Sequence, residues 1–124
     1  MDRFFFMLGS LMAFLAVALG AFAAHGLRTR LSAEMVTIFE VGVRYHMYHA
    51  LGLIAVSWAC SRWPESGAQW AGWAFILGIV VFSGSLYLLS VTGMRWLGAI
   101  TPIGGLAFLI GWVVLVWAAL RVGS

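Results

Sequence analysis

Six side chains that can carry charge, donate protons or bind a ligand fall within ten residues: Glu40, Arg44, Tyr45, His46, Tyr48 and His49, in the run Glu40-Val-Gly-Val-Arg-Tyr-His-Met-Tyr-His-Ala-Leu-Gly-Leu53. On a helix, at about 100° per residue, Glu40, Arg44 and Tyr48 share one side. Tyr45 and His49 lie on the adjoining strip, and His46 lies further round. Glu40 and Arg44 are also spaced i, i+4 with the carboxylate first, the favoured order for a helical ion pair. Other chemistries fit less well. A di-metal bundle centre needs several inward carboxylates and a Glu-x-x-His spacing, neither of which is present. Haem held by two histidines would have to join His25 to His49, which come from different depths. No phosphate-binding glycine loop, nucleophile elbow or zinc motif occurs, and no metal or cofactor is expected.

The elements around this run are hydrocarbon-like. Of 124 residues, 64% are hydrophobic and 9% charged, whereas about a quarter of the residues in a soluble domain are charged. Mean hydropathy is +1.03. Such a chain reads as an integral membrane protein. A span takes roughly 20 apolar residues, so four spans use nearly the whole length and leave one transmembrane domain over 1–124. The positive charge comes from arginines placed singly between apolar runs, with no lysine, which argues against a nucleic-acid partner and for membrane flanks. The lone cysteine, Cys60, excludes an internal disulfide.

The expected fold is all-α: a four-transmembrane-helix bundle with short loops and an amphipathic lead-in to helix 2, its spans at approximately 4–24, 42–61, 70–91 and 97–120. Phe4 to Ala24 carries no charge, and Ala16, Gly20 and Ala24, four residues apart, allow a neighbouring helix to approach closely. Gly26 is placed to end this helix in the left-handed conformation. Ser32 is a candidate N-cap with Glu34 in the first turn. Leu31, Met35, Ile38 and Phe39 form the apolar stripe of the lead-in, which lies at the membrane surface or against the bundle. A helix unbroken from Ser32 to Ser61 would be about 45 Å long, so a bend near Gly42 or a strong tilt is expected. Arg62-Trp-Pro-Glu-Ser-Gly67 and Thr92-Gly-Met-Arg95 are turns, and Arg121 to Ser124 is a short polar tail.

Alternating helix direction gathers the polar residues. His25, the Glu40 to His49 run, Ser83, Tyr87, Ser90, Thr92 and Thr101 all belong to the half of the membrane nearer the first and third loops. Ser83, Tyr87 and Ser90 form a second polar stripe that could face the first. Trp58, Trp63, Trp70, Trp73, Trp112 and Trp117 lie toward the opposite face, as an interfacial belt. Arg28, Arg30, Arg95 and Arg44 against Arg3, Arg62 and Arg121 leans toward the first and third loops being cytoplasmic.

Four segments together resemble an uncharacterised family of small four-span membrane proteins typified by bacterial YgdD: Gly20-Ala-Phe-Ala-Ala-His-Gly26, Tyr45-His-Met-Tyr-His-Ala-Leu51, Phe82-Ser-Gly-Ser-Leu-Tyr87 and Leu97-Gly-Ala-Ile-Thr-Pro-Ile-Gly-Gly105. The resemblance covers almost the whole chain. It implies the bundle fold and a bacterial inner-membrane location, and it adds Ser85 to the residues of interest. The family's pattern often carries glutamine where this chain has His46. The candidate polar cluster is thus His25, Glu40, Arg44, Tyr45, Tyr48, His49, Ser83, Ser85, Tyr87 and Thr101.

With no complete catalytic constellation, the function expected is non-enzymatic: a subunit that self-associates or joins a larger membrane complex, its polar cluster holding the helices in register. The alternative is a site for a quinone or lipid headgroup between helices 2, 3 and 4. A solute or proton permease ranks below both, because nothing ionisable continues from His49 toward the tryptophan-rich face.

Overall fold

The computed structural model describes residues 1–122. All regular structure among them is helical: α1 (Asp2–His25), α2 (Ala33–Arg62), α3 (Gln69–Thr92) and α4 (Thr101–Val122), with single 3-10 turns at Leu27–Thr29 and Arg95–Ala99. Arg121 and Val122 thus belong to α4, while Gly123 and Ser124 of the expected polar tail lie outside the described residues.

Local chemistry sets the ends of the helices. Ser32 caps α2, its hydroxyl accepting from the Met35 amide at 3.2 Å. Gly93 ends α3 with φ 74°, a conformation open to glycine without strain. Gly26 does not play the expected left-handed role. Its φ is −97°, and its amide donates to the Phe22 carbonyl at 2.7 Å, so the chain runs on into the 3-10 turn.

α1 and α2 form one antiparallel pair and α3 and α4 another, joined mainly where α2 meets α3. The α1–α2 seam is set by small residues. A Cβ at Gly9 would lie 2.8 Å from the Ala50 carbonyl oxygen, Gly20 abuts Val43, and Ala16 is fully buried. The Ser57 hydroxyl donates to the Asp2 carbonyl at 2.6 Å and fixes the far end of the pair. In the core, Phe5, Leu53, Val56, Ala71, Phe75, Ile79 and Phe108 form one cluster. Its aromatic rings sit in glycine-floored seats: Phe5 over Gly72, Phe108 over Gly78, and Phe75 between Gly52 and Gly111.

The lead-in packs against α1 and Tyr87 through Phe39 and Leu31 of the expected stripe together with Val36, while Met35 and Ile38 are only partly covered. α2 is one continuous helix through Gly42, whose bare face seats the Tyr87 ring.

By length and composition, three helical stretches are apolar enough to cross a membrane: Asp2–Thr29, Gln69–Thr92 and Arg95–Val122. The expected fourth, α2, is not among them. It carries Glu34, Glu40, Arg44 and two histidines along the length that the others fill with apolar residues.

The sequence gives no warning of the π-helical turn at Ile79–Ser83 within α3. Such a turn inserts an extra residue and shifts the faces on either side of it. α4 approaches α3 most closely here, because a Cβ at Gly104 would collide with the backbone of Phe82. Gly104→Ala is therefore expected to destabilise the purified protein by about 1 to 3 kcal/mol, as overpacked cores do. Gly84, around which a Cβ meets nothing within 4 Å, should accept alanine with no loss. Apparent melting temperatures of the two variants in one detergent check this.

Candidate functional site

The polar residues that converge lie on the inner face of α2. His49 is 4% exposed and has both ring nitrogens occupied. Nδ1 is 2.7 Å from the Tyr45 carbonyl oxygen, and the Trp112 indole N–H donates to Nε2 across 3.0 Å. A carbonyl only accepts and an indole only donates. The proton must therefore sit on Nδ1, leaving Nε2 as the acceptor in a neutral imidazole. The ring stacks on Phe108 at 3.5 Å between centroids, 7° from parallel, and meets Phe75 edge-on.

One turn earlier, His46 is equally buried, its Nδ1 2.8 Å from the Tyr87 hydroxyl of α3. Its Nε2 is buried without a hydrogen-bond partner among the described residues. A tyrosine hydroxyl and an imidazole nitrogen can each donate or accept, so the contact joins α2 to α3 in either tautomer.

Hydroxyls complete the layer. Ser83, fully buried in the π turn, donates to the Gly42 carbonyl of α2 at 2.7 Å. Ser85 and Thr101 meet at 2.6 Å between α3 and α4, and their oxygens also reach the Phe82 and Leu97 carbonyls. Ser90 donates to the Tyr87 carbonyl at 2.9 Å. α2 and α3, α2 and α4, and α3 and α4 thus each have a polar link in this half.

Five of the expected cluster residues lie elsewhere. His25 is exposed at the end of α1. Arg44, Tyr45 and Tyr48 are exposed on the outer side of α2, and Glu40 is only partly covered. Neither Glu40 nor Arg44 forms an ion pair among the described residues. The ion pair between distant segments is Arg95 with Glu34 at 3.1 Å, which ties the third loop to the start of α2. The side of α2 read as functional, Glu40/Arg44/Tyr48, is thus its outer one, and the discounted His46 points inward. Trp112 also departs from the expected belt: it sits mid-way along α4 as the partner of His49. No group of three His, Cys, Asp or Glu side chains among the described residues could hold a metal.

A lateral groove of about 400 Å³ opens between α2, α3 and α4, with His49 and Phe108 in its wall beside Tyr45, Tyr48, Phe82, Gly105, Leu109 and Trp112. Its walls are rings and aliphatic groups. Tyr45 packs on Phe82 at 4.9 Å and on Tyr48 at 5.5 Å.

A family model described as "Protein of unknown function (DUF423)" matches residues 19–105. The chain belongs to the DUF423 family. Curated relatives agree along nearly the full length. The UPF0382 membrane protein YwdK of Bacillus subtilis (strain 168) is 49% identical over 120 residues, 96% of this chain and 98% of the relative. A UPF0382 membrane protein of Staphylococcus epidermidis (strain ATCC 12228 / FDA PCI 1200) is 50% identical over 119 residues, 96% and 97% of the two chains. No solved structure matches. The DUF423 match takes in both buried histidines, the π turn, Thr101 and Gly104, but stops short of Trp112.

The one sequence signal that could have placed His46 inward was its spacing. Phe39, Gly42, His46, His49, Ala50 and Leu53 follow the i, i+3, i+4, i+7 rhythm of a buried face.

The His49–Trp112 and His46–Tyr87 pairs can each be tested through stability. Trp112→Phe leaves the His49 Nε2 lone pair buried without a donor and should cost about 1 to 3 kcal/mol, whereas Trp70→Phe, on an exposed surface, should change the melting temperature little. His46→Gln can still accept from Tyr87 and should retain most of the stability that His46→Leu loses. Thermal unfolding of all four variants in one detergent reads both comparisons.

Proposed function

We propose that this DUF423 protein is a non-enzymatic, four-span membrane subunit that works by association, with itself or within a larger membrane complex, the polar layer serving as internal register. The observation that carries this reading is the closed state of His49. Both nitrogens are used and one ring face is stacked on Phe108, so its hydrogen-bonding capacity is spent inside the bundle although the ring borders the lateral groove. His46, Ser57, Ser83 and Ser85 likewise bond across to neighbouring helices. A catalytic or proton-carrying histidine needs a nitrogen facing substrate or water.

Support for the fourth span is positional. α2 lies along the whole of α1, from Ala23 against Phe39 at one end to Asp2 against Ser57 at the other. A helix zipped along an apolar span crosses the same slab, its polar residues covered by neighbours in place of lipid. The bacterial relatives favour the plasma membrane as its location.

The groove beside Tyr45, Tyr48 and Trp112 favours a second reading, a site for the apolar part of a quinone or lipid. In that case the tyrosine hydroxyls would have to hold the headgroup, since the His49 nitrogens are taken.

Extraction in a mild detergent followed by native mass measurement tests the first reading. An oligomer, or a complex with a co-purifying membrane protein, is expected. A lone monomer in every mild detergent, including those that preserve the fold, would overturn it; a monomer retaining quinone or lipid of defined mass would favour the second.

A further inference from the structure

Outward faces in this bundle differ sharply. α1 presents residues such as Met7, Phe14 and Val17, α3 presents Val80, and α4 presents Leu109 and Val113, all suited to lipid. Away from the helix ends, only α2 turns charge outward among the described residues. Arg44 is exposed there and Glu40, one turn earlier on the same strip, is partly exposed, with Tyr48 following one turn later. Neither charged group has a hydrogen bond or ion pair among the described residues. Arg44 nevertheless lies well inside the chain's apolar stretch, with Glu40 near its end. The contact of Gly20 with Val43 sets Arg44 level with Leu19, about 8 Å inside the end of the Phe4 to Ala24 run at 1.5 Å per residue. Ionisable residues at such depth face protein or water far more often than hydrocarbon.

We propose that this outer face of α2 is covered by a second copy of the same chain, related by a twofold axis along the membrane normal. The inference rests on the self-associating reading above and names its surface. A strip with one acid and one base a turn apart is its own complement when two copies run parallel. Glu40 of each copy then faces Arg44 of the other, giving two symmetric ion pairs. Helical side chains lean toward the N-terminus of their helix, which carries each guanidinium toward the level of the opposing carboxylate. Below the charges, Leu51, Ala55 and Trp58 continue the exposed strip and supply apolar contact. An anionic lipid headgroup would suit Arg44 but be repelled by Glu40, so the pair of charges favours a like surface over a phosphate.

The test uses the full chain in mild detergent with native mass spectrometry. Arg44→Glu and Glu40→Arg, each alone, should lower the dimer-to-monomer ratio at least tenfold, and the combined Glu40→Arg/Arg44→Glu reversal should restore it. Should the single variants fail to fold, Leu51→Cys in a Cys60→Ala background keeps the native charges. It should form an oxidative cross-link between copies in membranes, whereas Val113→Cys on α4 should not. A dimer indifferent to the reversals, with Leu51→Cys cross-linking no better than Val113→Cys, would overturn the interface and leave the associating reading standing. A complex with a different protein would overturn the second copy as occupant but keep the accessory role. A lone monomer throughout would overturn both.

Discussion

A polar group sealed inside a helical bundle within hydrocarbon has no water to fall back on, so each one must find its partner in the protein. His49 shows how far this constraint reaches. Its Nδ1–H is committed to a carbonyl one turn back on its own helix, and its Nε2 to an indole on α4. That single residue therefore fixes its own tautomer, the rotation of α2 about its axis and the height of α4 against it. Individual interhelical hydrogen bonds in membranes are weak, about 0.6 kcal/mol on average. Their value here lies in direction. Apolar packing tolerates sliding by a fraction of a turn, whereas a donor that misses its acceptor leaves two buried groups unpaired.

Packing imposes the complementary constraint. Lipid tails are as apolar as leucine, so the helices gain nothing from hydrophobicity alone and associate through close contact. Glycines supply that contact by acting as seats for rings: Gly72 for Phe5, Gly78 for Phe108, Gly42 for Tyr87. The two constraints meet in the π turn of α3. There the extra residue turns Ser83 to the α2 backbone at Gly42, while the Phe82 backbone lies against Gly104 of α4. Without the shift of face that a π turn provides, one continuous α-helix would have difficulty serving both neighbours at the same level.

Much of this was legible in the sequence. The all-helical membrane class followed from composition, the Ser32 cap and the Gly93 return from their local signals, and the half of the bundle holding the buried histidines and hydroxyls from alternating helix direction. The face of α2 was misread for a physical reason. Glu40, Arg44 and Tyr48 were taken as inward because charge avoids lipid, yet the glycine and alanine positions show where α1 and α3 actually press. Burial followed the small residues, at Gly42, Ala50 and Gly52, and carried His46 and His49 inward with them. Trp112 was assigned to an interfacial belt because tryptophan is common there, but an indole N–H is also one of the few pure donors that can serve a buried imidazole. The π turn left no local signal; what accompanies it is a tertiary contact, the Phe82 backbone against Gly104.

The polar content of α2 also bears on how the bundle must assemble. Taken alone, α2 is not among the stretches apolar enough to cross a membrane, whereas α1, α3 and α4 each lie within one. Beyond the Tyr45 carbonyl on α2 itself, its histidines reach partners on α3 and α4, both made after it. α1 offers α2 a complementary seam at once: the Gly9, Ala16 and Gly20 side is in place before α2 emerges, and the Ser57 hydroxyl can close on Asp2. The α1–α2 hairpin is thus the unit that can hold α2 in register while His49 waits for Trp112. On this argument the seam of small residues comes first in the order of events and the polar layer last, so that the layer checks an arrangement that packing has already brought together.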